Sequence, residues 1–281
     1  MKRRKTYKNK NMHTELNMSS SIITLTTDFG LRDPYVAEMK AVILSMSPNT
    51  TIVDITHQVE KFNIRMGAYV LAAASSYFPN GTIHVAVIDP GVGTKRRTIL
   101  IQTKHGYFIG PDNGVLAIAA ESQDIEHIYK ITNPKLMLQK IYSTFHGRDI
   151  FAPAAAHIAK GTAPSEFGPE IHKIVTPKFA KIIKRKNVLT GEVIHIDGFG
   201  NIVTNFKEKE LESMGIKATV NLKLKKTKLK LKFCKAYAEA NAQKPLAIIG
   251  SHNFLEISIN QGNVAENLKT KVGDTVTIYR S

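Results

Sequence analysis

The sequence predicts an α/β N-terminal domain with a mainly parallel sheet, followed by a smaller, all-β, barrel-like C-terminal domain. Up to about residue 160, short runs rich in valine and isoleucine alternate with helical segments, which is typical of parallel strands joined by crossover helices. Residues 161–178 are rich in glycine and proline, as linkers are. Beyond Asn187, short segments with period-two alternation follow one another, which indicates strands with one buried face.

The predicted elements follow this division. In the first half, strands are predicted at 21–27, 51–55, 83–88, 98–103 and 107–110, with helices after Pro34, over 64–77 and after His146. In the second half, strands are predicted at 189–197, 201–206, 218–224, 228–234, 246–249, 254–259 and 275–279, with helices at 207–214 and 235–242. We therefore place the two domains at 21–180 and 181–281, after a basic leader over 1–20 that is predicted to be disordered.

The composition is that of a globular protein with an unusual charge. Of 281 residues, 43% are hydrophobic and 22% are charged, and no apolar run approaches the ~18 residues that cross a bilayer. The single cysteine, Cys234, excludes an internal disulfide framework and a cysteine-based zinc site, so a reducing cytoplasm is the expected compartment. These features predict no membrane partner.

The net charge of +16 suggests nucleic-acid binding, but its distribution argues against that function. The excess lies in the leader and in residues 178–186 and 222–235. In the last of these, leucine and lysine alternate, which is typical of a strand with one wet face. No aromatic residues alternate with these lysines as stacking platforms. Three solvated basic segments are therefore favoured, and no specific nucleic-acid partner is expected.

The most informative stretch is IHVAVIDPGVGTKRR at residues 83–97. A buried strand ends near Asp89, the Pro90-Gly91 step forces a turn, and Arg96 follows seven residues after the carboxylate. In open α/β sheets, ligands bind beyond the carboxyl ends of the strands. Two interpretations stay open at this point: a ligand site, or a polar loop boundary with a solvated basic run.

Three further clusters in the first half present similar alternatives. Asp28 follows the first strand, where a carboxylate can accept hydrogen bonds from a diol or form a turn. The segment GPDNG at 110–114 is favoured as a tight turn. His146 lies beside Gly147 and Arg148 at the start of an alanine-rich helix, which makes it a catalytic candidate rather than only a structural histidine.

The second half contributes DGFGN at 197–201 and GSHNFLE at 250–256. Each combines small residues with an aromatic that could face a flat ring, and a β-bulge or hairpin turn is the alternative in both cases. Walker, dinucleotide-binding, nucleophile-elbow and zinc-protease motifs are missing from the sequence. Nucleoside triphosphatases, Rossmann dehydrogenases and α/β-hydrolases are therefore disfavoured.

Taken in order, these motifs resemble those of one family. They are TDFG (27–30), DITH (54–57), YFPNGTIHVAVIDPGVGTKRR (77–97), GPDNG (110–114), FHGRDIFAPAAAH (145–157), IDGFGNIVTN (196–205) and LEISI (255–259). The chain is similar over residues 21–281 to the S-adenosyl-L-methionine (SAM) hydroxide adenosyltransferases. These SAM hydrolases are related to fluorinating and chlorinating enzymes.

The resemblance implies hydrolysis of SAM, as substrate rather than cofactor, to adenosine and L-methionine. Water or hydroxide attacks C5′ of the ribose, and methionine leaves as a neutral thioether, with neither cofactor nor metal. The family's triad maps onto Asp89, Arg96 and His146. Arg96 and His146 are expected to activate the water by favouring its hydroxide form and by orienting it or taking its proton, and Asp89 is expected to orient them.

The resemblance also implies the substrate contacts and the assembly. Asp28 matches a ribose ligand, and Phe62 lies where a relative has an aromatic beside the ligand. Asp197 matches a ligand of the methionine ammonium. Phe199 and Asn201 match adenine contacts, and Ser251 matches a carboxylate contact. The implied assembly is a trimer whose sites lie between the N-terminal domain of one subunit and the C-terminal domain of its neighbour.

Two other functions remain as alternatives on the same scaffold: a non-catalytic sensor of SAM or adenosine, and a SAM-dependent halogenase. The fluorinating relatives have tyrosine and serine near the positions of Asp89 and His146-Gly147. The charged residues of this chain favour hydrolysis. At 61 and 63, lysine and asparagine replace the expected proline and aspartate, so a change in the loop around Phe62 is expected.

Overall fold

A six-stranded sheet forms the centre of the first domain. The computed structural model describes residues 21–280, so the predicted leader over 1–20 lies outside the described residues. The strands are β1 (Ile22–Thr27), β2 (Thr51–Thr56), β3 (Thr82–Val87), β4 (Thr98–Thr103), β5 (Gly106–Pro111) and β6 (Ile125–Lys130). Their order is β2-β1-β3-β5-β4-β6, and only β4 runs against its neighbours, so the mainly parallel sheet is confirmed.

Helices cover both faces of this sheet, as its apolar strands require. They are α1 (Tyr35–Met46), α2 (Ile64–Ser75), α3 (Ala117–Ser122) and α4 (Ala152–Ala159). Helices α1 and α4 pack together on one face, and α2 and α3 pack together on the other. Because β1 and β3 are parallel neighbours with Thr27 opposite Val87, their carboxyl ends lie side by side. This register brings Asp28 and Asp89 to one edge of the sheet.

Seven strands of the second domain close into a barrel. They are β8 (Val188–Ile196), β9 (Ile202–Lys207), β10 (Thr219–Leu224), β11 (Thr227–Cys234), β12 (Pro245–Ile249), β13 (Phe254–Ile259) and β14 (Thr275–Tyr279). The ring closes through the pairing of β14 with β8, and the short strand β7 (Ile183–Arg185) adds to β8 from outside the ring. Two short helices, α5 (Glu208–Ser213) and α6 (Val264–Asn267), complete the domain. The barrel-like fold is confirmed.

The two domains share an apolar interface. Ile194, Val203 and Phe254 on the outer face of the barrel belong to the same buried cluster as Ala68 and Ile88 of the first domain. Nη2 of Arg65 donates to Oε2 of Glu192 across the interface at 2.9 Å. Alternate residues of the barrel strands thus serve two cores, one inside the ring and one against the first domain.

Some sequence predictions need correction. Residues 235–242 do not form the predicted helix, and only Tyr237–Glu239 form a short 3₁₀ turn. Ala236 and Ala240 on either side are extended because this segment crosses between the parallel strands β11 and β12, so tertiary structure overrides the helix propensity of alanine. Elements α3, β6, β7 and α6 were missed. The burial patterns of β10 and β11 confirm the wet face, because Lys228, Lys230 and Lys232 are exposed whereas Leu222, Leu224 and Leu231 are buried.

Candidate active site

Asp89, Arg96 and His146 meet at the carboxyl end of β3. Nε of Arg96 donates to Oδ1 of Asp89 at 2.9 Å, and Nη2 of the same guanidinium forms a close ion pair with Oδ2. Nη2 also lies 2.8 Å from Nδ1 of His146. The side chains of Arg96 and Asp89 are 10% and 5% exposed, so little solvent screens this ion pair. The three predicted residues form one connected network.

The contact with Arg96 determines the protonation state of His146. A guanidinium has donors only, so Nδ1 of His146 must be the acceptor and the ring proton lies on Nε2. Burial and the positive charge of Arg96 both lower the pKa of His146 below its usual value of 6.5, which favours this neutral form. His146 is thus a donor at Nε2. Nδ1 can accept a proton only if its hydrogen bond with Nη2 of Arg96 breaks.

Two loops hold these side chains in place. After β3, the turn is closed by bonds from the amide of Val92 to the carbonyl of Asp89 and from Oγ1 of Thr94 to the carbonyl of Gly91. Gly93 has φ of +76° against the backbone of Ser143, where a Cβ would collide, so only glycine fits there. His146 precedes a π-helical turn, Gly147–Phe151, that leads into α4. Such turns are frequent at functional sites.

Asp28 anchors the neighbouring loop. Its Oδ2 accepts from the amide of Phe62 at 2.8 Å, and its carbonyl accepts from Nζ of Lys61 at 2.6 Å. Phe62 has φ of 64°, which is unfavourable for a non-glycine residue, and its side chain is 67% exposed. Asn63 caps α2 by accepting from the amide of Met66, a role that aspartate fills equally well. Lys61 therefore ties this loop to Asp28, and Asn63 caps the helix that follows it.

A cavity of ≈ 680 Å³, which we call the N-terminal cleft, lies between the Asp28 loop and the loops that carry Asp89 and His146. It is lined by Asp28, Phe62, Asp89 and His146 together with Phe29, Tyr35 and Phe145. The last three rings contact one another edge to face, with centroids 5.2–5.8 Å apart, and form an aromatic wall. None of these three residues was predicted as a site residue. The cleft thus places an apolar wall next to an ion network.

The remaining cluster of the first domain is structural. Oδ1 of Asp112 accepts from the amide of Val175 at 2.7 Å, and Oδ2 accepts from Nε of Arg97 at 2.6 Å. Asn113 ties the same turn to the carbonyl of Ile88. The tight-turn interpretation of GPDNG is confirmed, and the adjacent residues Arg96 and Arg97 serve different carboxylates.

The residues predicted in the barrel domain line a second cavity, the barrel pocket, of ≈ 640 Å³. Oδ1 of Asp197 accepts from the amides of Phe199 and Asn201 and Oδ2 accepts from Nδ2 of Asn201, each at 2.9 Å. This turn leaves the ring of Phe199 82% exposed. Ser251 lies on the opposite loop, which the hydroxyl of Tyr77 holds through a close bond to the carbonyl of Ser251.

Several residues of the pocket were not predicted as site residues, and four of them matter for its chemistry. Tyr69, Tyr237, His252 and Glu256 line the barrel pocket beside Asp197. The hydroxyl of Tyr237 donates to Oε2 of Glu256 at 3.0 Å, and the ring of Tyr69 stacks on the imidazole of His195. Burial raises the pKa of Tyr69 and of Tyr237 to about 12, so both are neutral phenols. Of these four, His252 and Glu256 lie in the GSHNFLE segment that the sequence pointed to, and Glu256 also lies in LEISI, whereas Tyr69 and Tyr237 carried no signal.

The structure groups the predicted residues into two separate sets. Asp28, Phe62, Asp89 and His146 line the N-terminal cleft, whereas Asp197, Phe199, Asn201 and Ser251 line the barrel pocket. Arg96 lines neither cavity and reaches the first set through Asp89 and His146. No residue in the described range lines both cavities. Within residues 21–280, no group of three or more His, Cys, Asp or Glu has a metal-binding arrangement. Within the same range, every helix falls short of what a bilayer-spanning segment requires.

Two protein-family models match the chain and show the class of protein to which it belongs. The SAM hydroxide adenosyltransferase N-terminal domain matches residues 23–168, and the corresponding C-terminal domain matches residues 191–277. The chain belongs to the SAM hydroxide adenosyltransferase family.

Individual relatives are similar to the chain over most of its length. The chain is 40% identical to the (R)-S-adenosyl-L-methionine hydrolase of Methanocaldococcus jannaschii, over 92% of this chain and 95% of the relative. It is 27% identical to the fluorinase of Actinoplanes sp., over 92% and 98%. Among solved structures, an uncharacterized conserved protein from Thermotoga maritima superposes with a TM-score of 0.80 at 37% identity, over 92% of this chain and all of that one.

Proposed function

We propose that this protein hydrolyses SAM to adenosine and L-methionine, with Arg96 and His146 preparing the attacking oxygen. One observation supports this role most directly: Nη1 of Arg96 is buried and has no hydrogen-bond partner among the described residues. A buried guanidinium donor without an acceptor costs free energy, and a water or hydroxide bound beside His146 supplies that acceptor. The names of the hydrolase relatives support the same reaction.

In the proposed reaction, the oxygen attacks C5′ of the ribose while the C5′–S bond breaks. The bonding electron pair moves to sulfur, which leaves as the neutral thioether of methionine, and one proton is released to solvent. The sulfonium needs no acid to leave, so no cofactor or metal is required. The cationic Arg96 favours hydroxide over water, and Nε2–H of His146 donates to the oxygen. Asp89 holds Arg96 in place.

The substrate contacts extend this proposal to both cavities. Asp28 binds the ribose hydroxyls with the lone pairs that Phe62 does not use. Phe199 and Asn201 bind adenine, and Ser251 binds the methionine carboxylate. Asp197 contributes to the site of the ammonium.

We propose that neighbouring subunits of a trimer complete each site, because the two sets of residues line separate cavities within one chain. Phe62 and Phe199 are 67% and 82% exposed, one in each cavity, which is costly for aromatic rings unless a ligand or neighbour covers them. Placing the N-terminal cleft of one subunit against the barrel pocket of the next covers both rings. The cytoplasm is the proposed compartment.

Complementation between two inactive variants tests the shared site. Arg96→Ala removes the cleft function, and Asn201→Ala removes the pocket function. In mixed trimers with head-to-tail sites, about a quarter of the sites combine two intact halves, so co-expression restores about a quarter of the wild-type activity. A site contained within one chain predicts no restoration, and that result would refute the shared site.

The reaction itself is tested by incubating the protein with SAM in ¹⁸O-water. We expect one ¹⁸O in the 5′-hydroxyl of adenosine and none in methionine. Separate assays with the two sulfur epimers extend the test, because the relatives' names specify the R form, and we expect that form to be consumed. Intact SAM that persists bound to the protein would favour a sensor, and 5′-chloro-5′-deoxyadenosine formed in chloride would identify a halogenase.

A further inference from the structure

Glu256 is a buried carboxylate without a cationic partner. It lies on β13, with its side chain on the outer face of the barrel, yet the residue is only 7% exposed. Its only hydrogen-bond donor among residues 21–280 is the hydroxyl of Tyr237, and no lysine or arginine there pairs with it. A buried carboxylate normally has an ion-pair partner. The missing partner points to a cationic ligand.

The surroundings of Glu256 lie within the barrel pocket. Burial raises the pKa of Glu256, and the negative charge of Asp197 raises it further. The two carboxylates therefore repel each other. Among residues 21–280, the Tyr237 hydroxyl and the nearby His252 oppose this effect on Glu256, but no lysine or arginine pairs with it. Gly250 makes room for the Glu256 carboxylate, since a Cβ at this position would collide with it. A cation between Glu256 and Asp197 relieves the repulsion and keeps Glu256 ionised.

Asp197 by itself is poorly placed to bind the cation. Its two oxygens already accept three hydrogen bonds from Phe199 and Asn201, all at 2.9 Å. A carboxylate offers about four lone-pair sites, so most of the capacity of Asp197 serves its own turn. Glu256 accepts from Tyr237 alone and keeps most of its capacity for a ligand.

We propose that Glu256 binds the ammonium group of the substrate's amino-acid end and thereby selects amino-acid sulfonium substrates over simpler nucleosides. This inference rests on the proposed function and adds a specificity-determining residue to its site. The ammonium lies between Glu256 and Asp197, where the phenol of Tyr237 orients the Glu256 carboxylate. Ser251, on the adjoining loop, is then placed for the carboxylate of the same amino acid.

Binding without turnover tests this role. S-adenosyl-L-homocysteine has the amino-acid end but a neutral sulfur that lacks the sulfonium leaving group, and adenosine has no amino-acid end. For Glu256→Gln, we expect calorimetry to show an about 10- to 100-fold weaker Kd for S-adenosyl-L-homocysteine, since bonds to charged groups are the stronger ones, and an adenosine Kd unchanged within about twofold. Glu121→Gln, a carboxylate outside both cavities whose pKa is also raised by burial, is the matched control and leaves both values unchanged.

Each outcome decides the proposal. Equal loss of both ligands would show a structural role for Glu256, and no loss of either would show no role, so both results overturn it. If Glu256→Gln does not fold, Glu256→Asp keeps the charge but shortens the side chain, and only S-adenosyl-L-homocysteine should bind more weakly. Wild-type protein that binds neither ligand would refute the proposed function as well, which separates the two failures.

Discussion

The N-terminal cleft and the barrel pocket handle charge in opposite ways. At the cleft, Arg96 joins the lining residues Asp89 and His146, and the three orient one another before any ligand arrives. In the barrel pocket, Asp197 and Glu256 repel each other, and no lysine or arginine of residues 21–280 pairs with Glu256. A network whose charges are paired before the ligand binds is suited to fixing the position of a reactive oxygen, because its geometry is preorganised. An uncompensated carboxylate is suited to binding a cation. This difference supports our proposal that the attacking oxygen is held at the cleft and the amino-acid end of the substrate in the barrel pocket.

The largest effect is expected from Arg96→Ala. Loss of the guanidinium removes stabilisation of the hydroxide and leaves Asp89 and His146 unconnected, so kcat should fall about 10²- to 10³-fold, as for loss of an oriented active-site donor. The Kd of S-adenosyl-L-homocysteine should change less than about threefold, because binding depends on other contacts. Adenosine release measured by chromatography, together with calorimetry, checks both values.

Lys95→Ala is the matched control, since Lys95 is exposed beside Arg96 and is expected to be dispensable. Because Asp89 becomes a buried unpaired charge in Arg96→Ala, Arg96→Lys provides a second variant that keeps the charge. An unchanged kcat in both arginine variants would show that the cleft takes no part in catalysis.

The next largest effect is a change with pH. The pKa of His146 is lowered by burial and by Arg96, against weaker opposing effects of Asp89 and Asp149. The neutral form therefore persists below pH 6.5, and kcat should fall about tenfold per pH unit only once the pH drops below the lowered pKa. A pH–rate profile of kcat measures this limb.

His157→Gln is the control for this profile, because the pKa of His157 is also lowered by burial but the residue lies on α4, outside the cleft lining. The acid limb should persist in that variant and disappear in His146→Asn. An acid limb centred above pH 6.5 would contradict the neutral histidine that the Arg96 contact requires.

The smallest effect is expected from Phe199→Ala in the barrel pocket. Stacking of a base on an aromatic ring contributes about 1–3 kcal/mol, so KM for SAM should rise about 5- to 150-fold. We expect kcat to stay within about twofold, because we propose that Phe199 contacts adenine and not the reacting atoms. Val175→Ala, an exposed apolar residue outside both cavities, provides the control. A fall in kcat at constant KM would contradict the separate roles proposed for the cleft and the barrel pocket.

Much of the fold could be predicted because its elements have local causes. Alternation of apolar residues predicted the barrel strands, and valine- and isoleucine-rich runs predicted the buried sheet. The missed helix α3 has only six residues, too few for a clear period. The segment 235–242 shows the opposite error, since its alanines favour a helix that the crossover between β11 and β12 does not allow.

The candidate site divides in the same way. Asp28 and Asp89 could be placed at one edge from the sequence, because parallel strands end together. Arg96 and Arg97 are neighbours of the same type, and without the family resemblance the sequence does not distinguish them; the structure pairs the first with Asp89 and the second with Asp112. The neutral state of His146 likewise depends on a contact between residues 50 positions apart.

By itself, the sequence determined the order of the domains, the strand ends that carry the carboxylates, and the family resemblance. Tertiary structure alone decided which charges are paired. Glu256 occupies an outward position of an alternating strand, where a solvated side chain is expected from the pattern. Tyr69, Tyr237 and His252 of the surrounding elements cover it and make it a buried carboxylate. Burial depends on what packs over a residue, and that information is not local to the chain.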